Sequence, residues 1–180
     1  MTVAMTTTPA SGVRYSVNRL TIATGSTPAD FRSRYERAVP AFPAEQVTAL
    51  VRRQAPWQDM IDLIAATAPL GFCIFYKNDV NAVVHLAGDS STGVSYLMGN
   101  NTVMERMFRY EPAVLLYAPL HIVIWGDPDG PGYLTFDRPS DQFGSFANAE
   151  VRKVGVELDH KVAALLEHLG VSVPDELRAT

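Results

Sequence analysis

The 180-residue chain is 47% hydrophobic and 19% charged, the balance of a globular protein rather than a disordered one. Its formal net charge of -4 offers nucleic acid no electrostatic footprint, and its one cysteine, Cys73, excludes a disulfide framework within the chain. At this length a core that buries roughly 70% of the unfolded surface forms without a structural metal.

The first stretch, MTVAMTTTPASG, has neither the basic region nor the apolar core of a signal peptide. Residues 1–13 read as a disordered tail, no apolar run reaches transmembrane length, and the cytoplasm is the expected compartment. A strand is expected within Arg14–Thr24, ended by Gly25 and Ser26. Thr27, Pro28 and Asp30 then spell a helix start, with Phe31, Tyr35 and Ala38 on one face and Pro40 as the stop. Between Phe42 and Pro69 two apolar stripes, Val47-Leu50-Val51 and Trp57-Met60-Ile61-Ile64, are separated by Pro56, which predicts two helices. Asp59 and Asp62 lie three apart without further ligands nearby, so a solvated face is expected there rather than a metal site.

After Gly71, the run FCIFYK reads as a buried strand with Cys73 as a core thiol, and Asn78-Asp79 as a turn. NAVVHLA alternates, which predicts a strand with Val83, His85 and Ala87 on one face. VSYLM predicts another, with Val94, Tyr96 and Met98 together. Gly99 and Asn100 break it, and Thr102 with Glu105 matches a capping box that starts a helix at Val103. Pro112 and Pro119 bracket AVLLYA, expected to be extended. LHIVIW and YLTFD flank the turn GDPDGPG as a hairpin, ended by Pro139 and Ser140. Val151, Val154, Leu158, Val162, Leu165 and Leu169 then step by threes and fours along a long helix closed by Gly170 and Pro174. Consecutive strands with helices before and after predict an α+β fold, a mainly antiparallel sheet covered by helices on one face. The domain is expected over residues 14–173, with a tail at 174–180.

Gly99-Asn100, Arg106-Met107, Tyr117-Ala118-Pro119-Leu120 and Asp137-Arg138-Pro139-Ser140 together resemble the domain-of-unknown-function 302 family, in its longer form with an N-terminal helical extension. The resemblance covers roughly residues 57–169, leaving 14–56 as the extension. It implies a curved antiparallel sheet crossed by a long helix, similar to the TATA-binding-protein-like arrangement, and a homodimer. It implies no agreed activity. The chain departs from the family where Asn101 stands at a position commonly proline, and His121 occupies a position that is often basic.

No motif names a reaction. There is no Gly-x-Ser-x-Gly elbow and no phosphate loop, and Asp127 and Asp129 lack the spacing of a calcium loop. His160 and His168 flank the last helix as surface residues. The expected site is a concavity between sheet and helix for a small, partly apolar molecule, with Tyr96, Asn100, Tyr117, His85 and His121 as polar groups and Met98, Met104 and Met107 as a pliable wall. Two alternatives stand beside it. One is an enzyme using His85 or His121 with Tyr96 for proton transfer; the other is a homo-oligomeric interaction module using the hairpin and a strand edge. No cofactor is required, and haem would depend on His85 or His121 as ligand. Neither a membrane nor nucleic acid is an expected partner.

Overall fold

The computed structural model describes residues 11–178, so residues 1–10 of the tail expected over 1–13 lie outside the described residues. The elements are β1 (Arg19–Ala23), α1 (Pro28–Ala38), α2 (Ala44–Arg52), α3 (Trp57–Thr67), β2 (Cys73–Asp79), α4 (Asn81–His85) and β3 (Thr92–Gly99). They continue with α5 (Asn101–Phe108), a 3-10 turn (Pro112–Leu116), β4 (Leu120–Gly126), β5 (Gly132–Asp137), α6 (Pro139–Gly144), α7 (Ala149–His168) and a 3-10 turn (Asp175–Leu177). The five strands form one sheet in the order β1-β5-β4-β3-β2, and every pairing is antiparallel.

Period-two alternation puts Leu20 and Ile22, Val94, Tyr96 and Met98, Leu120, Ile122 and Ile124, and Leu134 and Phe136 on one buried face. Phe31 and Tyr35 of α1, Val103 and Met107 of α5, Phe143 of α6 and the stripe of α7 complete that core. The other face carries Thr21, His121 and Trp125, all exposed. Thr27 caps α1 by accepting from the Asp30 N–H at 3.2 Å. Helix α7 closes beyond His168, where the Gly170 and Val171 N–H groups reach back to the carbonyls of Glu167 and Leu166. Helices α6 and α7 cross at Gly155: a Cβ there would lie 2.9 Å from the Phe143 Cβ and 3.2 Å from the Ser140 Cα, so only glycine permits the approach.

Several local expectations are corrected. NAVVHLA is helical rather than a strand, with Val83 and Leu86 exposed. Strand β2 runs on through Asn78 and Asp79 and already pairs with β3, so a strand between them would have no partner. The run FCIFYK is buried only at its start: β2 is an edge strand, although Cys73 is a buried thiol as expected. The cap of α5 is Asn100 rather than Thr102, and the helix starts at Asn101. AVLLYA winds into a 3-10 turn in which Pro112 takes the first position and Glu111 caps; proline restrains only the residue before it, and Glu111 is extended. Pro139 and Ser140 end the hairpin by opening α6, for which the sequence offered only a stop. At the C-terminus, Leu177 is fully buried, so the expected tail is anchored through that residue.

Candidate functional site

A cavity of about 170 Å³ opens where β3 ends, between the start of β4, α5, α6 and α7. Phe72, Val103, Met107, Leu120, Phe143 and Leu158 give it an apolar wall, and the exposed Leu115 stands at its lining. Asn100 shapes one side. Its Oδ1 accepts from the Thr102 N–H at 2.8 Å and hydroxyl at 2.7 Å, and its Nδ2 donates to the Gly71 carbonyl at 3.0 Å. The amide therefore caps α5 and ties it to the turn before β2, an arrangement worth ~1 kcal/mol as a cap alone. Gly99 brings the strand end against Pro119, where a Cβ would sit 3.1 Å from the proline Cβ.

On the same buried side of the sheet, toward α1, lies a polar cluster that periodicity does not signal. The Tyr96 hydroxyl donates to Glu36 Oε1 at 2.7 Å, and Lys77 Nζ pairs with that oxygen at 2.7 Å. Arg32 stands 3.9 Å from Glu36 and 3.1 Å from Asp79. Burial pushes the Tyr96 phenol far above its usual range, and the Glu36 carboxylate adds to the rise, so Tyr96 is a fixed donor at neutral pH. The Tyr35 hydroxyl, buried with its ring 5.0 Å from that of Tyr96, has no hydrogen-bond partner among the described residues.

For Glu36 itself, burial raises the carboxyl, but the hydrogen bonds from Lys77 and Tyr96 and the charges of Lys77 and Arg32 outweigh it. The net result is a pKa below the ordinary 4.5. A depressed folded value stabilises the fold above the unfolded pKa, and the contribution disappears as pH falls through the folded value. Urea midpoints should therefore show wild type above Glu36→Gln near neutral pH, with the gap closing as the pH falls below the ordinary carboxyl range. A gap that stays constant with pH would remove Glu36 as the titrating partner.

The expected site residues do not converge. Asn100, Met104 and Met107 line the cavity. Tyr96 and Met98 are buried core residues, Tyr96 turned to Glu36. Tyr117 is half-buried, its ring packed edge-on against Phe143 and Phe146 and its hydroxyl bonded to that of Tyr15. His121 is exposed opposite Leu97 on the uncovered sheet face. His85 is exposed at the end of α4, a helix tied through Asn81 to Gly93 near the other end of β3. Neither His85 nor His121 lines the cavity beside Asn100, and the Tyr96 hydroxyl is bonded to Glu36 rather than to either histidine. The pocket drawn from strand periodicity is corrected to that extent: both histidines are exposed outside the cavity that Asn100 and Met107 line. Among the described residues no group of three or more His, Cys, Asp or Glu side chains is placed to hold a metal ion. No helix among them is long and apolar enough to cross a membrane. Asp59 bonds Arg53 and Asp62 bonds Gln58, a surface arrangement.

Asp159 is the polar residue most deeply placed and least foreseen. It is fully buried on α7, accepting from Arg138 Nε at 3.0 Å and from the Ser140 N–H at 2.9 Å. The stretch Asp137-Arg138-Pro139-Ser140 is thereby a clamp from the end of β5 onto α7.

The comparisons with known proteins agree with this architecture. The family model described as "Domain of unknown function DUF302" matches residues 52–169. A crystal structure of an uncharacterised conserved DUF302 protein from Bacillus stearothermophilus is similar in fold, with a TM-score of 0.59 at 14% identity. The match covers 84% of this chain and 97% of that one. At that identity the likeness speaks for the fold alone. No curated protein matches the chain. The family match spans well over half of the sequence and includes every strand but β1, and the chain belongs to the DUF302 family.

Proposed function

We propose that the chain binds a small, largely apolar molecule in the cavity between the sheet, α5 and α7. One observation carries the reading: an apolar hollow of about 170 Å³ bounded by Phe72, Met107 and Phe143, side chains that are otherwise fully buried. Protein interiors pack to a density of ~0.74–0.76, and a void forfeits dispersion contacts on one side of every lining atom. A dry apolar cavity of ~150 Å³ takes up benzene, which sets the size class of the ligand. Because the Asn100 amide is already engaged by Thr102 and Gly71, selection rests on shape and apolar contact. The reading extends to a cytoplasmic homodimer. A buried free thiol at Cys73 suits a reducing compartment, and the uncovered sheet face with Trp125 stacked on Tyr133 suits a partner surface.

Benzene, titrated while thermal unfolding is followed, tests the binding. The midpoint should rise with benzene in wild type and stay flat in Val103→Phe, whose ring occupies the hollow. Equal responses in the two proteins, or none in wild type, would end the reading.

A further inference from the structure

A second concavity adjoins the first. It has a volume of about 340 Å³ and runs between α2, α3 and α5, lined by Leu50, Val51, Trp57, Met60 and Phe108. Asn101 and Met104 line both hollows, so the half-buried Met104 side chain stands at their junction. Helix α2 is amphipathic yet fully buries none of its residues, and Val47, Leu50 and Val51 of its apolar stripe line this open groove. Val47 and Leu50 of that stripe are only partly buried, against Met60 and Ile64, while Val51 of α2 is 71% exposed and Trp57 of α3 47%.

The two hollows meet α5 at different angles. Val103 and Met107 face the inner one, whereas Phe108, one residue on, faces the groove. One residue is a rotation of about 100° around a helix. A rigid planar ligand cannot follow that bend, whereas a flexible chain can, and methionine at the corner adapts to either path. Charge narrows the class further. Among the described residues Glu105 is the one ionisable residue lining either hollow, and its carboxylate is held by Arg109 at 2.6 and 2.7 Å. Among the described residues no cation lines the path to neutralise an anionic head, and the nearby Arg109 is already engaged by Glu105.

We infer that the ligand is a single aliphatic chain with an uncharged polar head, its tail in the inner cavity and its remainder in the groove between α2, α3 and α5. The inference rests on the binding reading above and assigns the class of molecule that reading leaves open. A benzene-sized tail end fills the inner hollow, and each methylene beyond it leaves water by lying against Met104, Phe108, Leu50 and Val51.

The experiment is a titration of the full chain with straight-chain primary alcohols from hexanol to tetradecanol, read by calorimetry. Affinity should rise by about fourfold per added methylene through the longer members of the series. In Val51→Asp and Phe108→Asp, changes at exposed positions of the groove wall, the rise should stop at short lengths. A carboxylate of the same length should bind more weakly than the alcohol. Short alcohols that bind without a gain in length, or a gain untouched by both variants, would overturn the chain and leave the inner-cavity reading standing. Tighter binding of the carboxylate overturns the uncharged head. If neither benzene nor any alcohol binds, both readings fall together.

Discussion

Replacing Asp159 by alanine should cost ~3–5 kcal/mol of folding stability, the usual penalty for removing one partner of a buried ion pair. For a chain of this size that is a fall in Tm of about 6–20 °C. The carboxylate is fully buried and both of its oxygens are used, one by Arg138 Nε at 3.0 Å and one by the Ser140 N–H at 2.9 Å. Alanine would leave a guanidinium that is only 18% exposed with Asp141 as its remaining counterion, at 3.7 Å. It would also orphan a backbone donor in the first turn of α6. Asp159→Asn should cost less than Asp159→Ala, because its carbonyl oxygen still accepts from Ser140. The paired change Arg138→Met with Asp159→Leu should recover most of the loss, since apolar replacement of both partners is often neutral or better. Urea midpoints for the four proteins decide it. An alanine variant as stable as wild type would show that the clamp carries no energy.

The same residue shows where sequence reading stops. Helix α7 is legible because Val151, Val154, Leu158, Val162 and Leu165 repeat at the helical period, and the core confirms each of them as buried. Asp159 adjoins that stripe, and a carboxylate there reads as solvated unless its partner is known. The partner, Arg138, is 21 residues away on another element. Glu36 is hidden in the same way. It lies among the polar residues of α1, and its bond to Tyr96 spans 60 positions. Periodicity also misled in one place: NAVVHLA alternates like a strand, yet β2 and β3 already pair without it, and the run coils outside the sheet. Placing His85 on a strand put it in one pocket with His121, whereas it ends a helix and both histidines stand exposed outside the cavity that Asn100 lines. The cavity itself was legible only as a location, between sheet and long helix near Asn100 and Met107. A void depends on how side chains from several elements fail to meet, and no window of sequence records that.

Leu158 is where the stability of the fold and the proposed binding meet. It is 5% exposed, belongs to the core and forms part of the cavity wall. Leu158→Ala should destabilise by ~2–5 kcal/mol, the range for a buried leucine, with the cost growing by ~24 cal/mol per Å³ of void that remains. Because the side chain already borders empty space, the loss should sit toward the lower half of that range: fewer packed neighbours are forfeited than in a filled core. The enlarged hollow should then accept ligands wider than benzene, such as butylbenzene, that wild type binds weakly. A ligand that binds only the folded state at a hundred times its Kd returns ~2.7 kcal/mol, enough to offset much of the damage. The expected result is therefore a variant with a lower Tm than wild type in buffer and a larger rise with butylbenzene. A loss of stability without any ligand-dependent recovery would mean that the space collapses when the leucine is removed, and that the hollow is a packing defect rather than a binding site. A variant as stable as wild type would remove Leu158 from the core altogether.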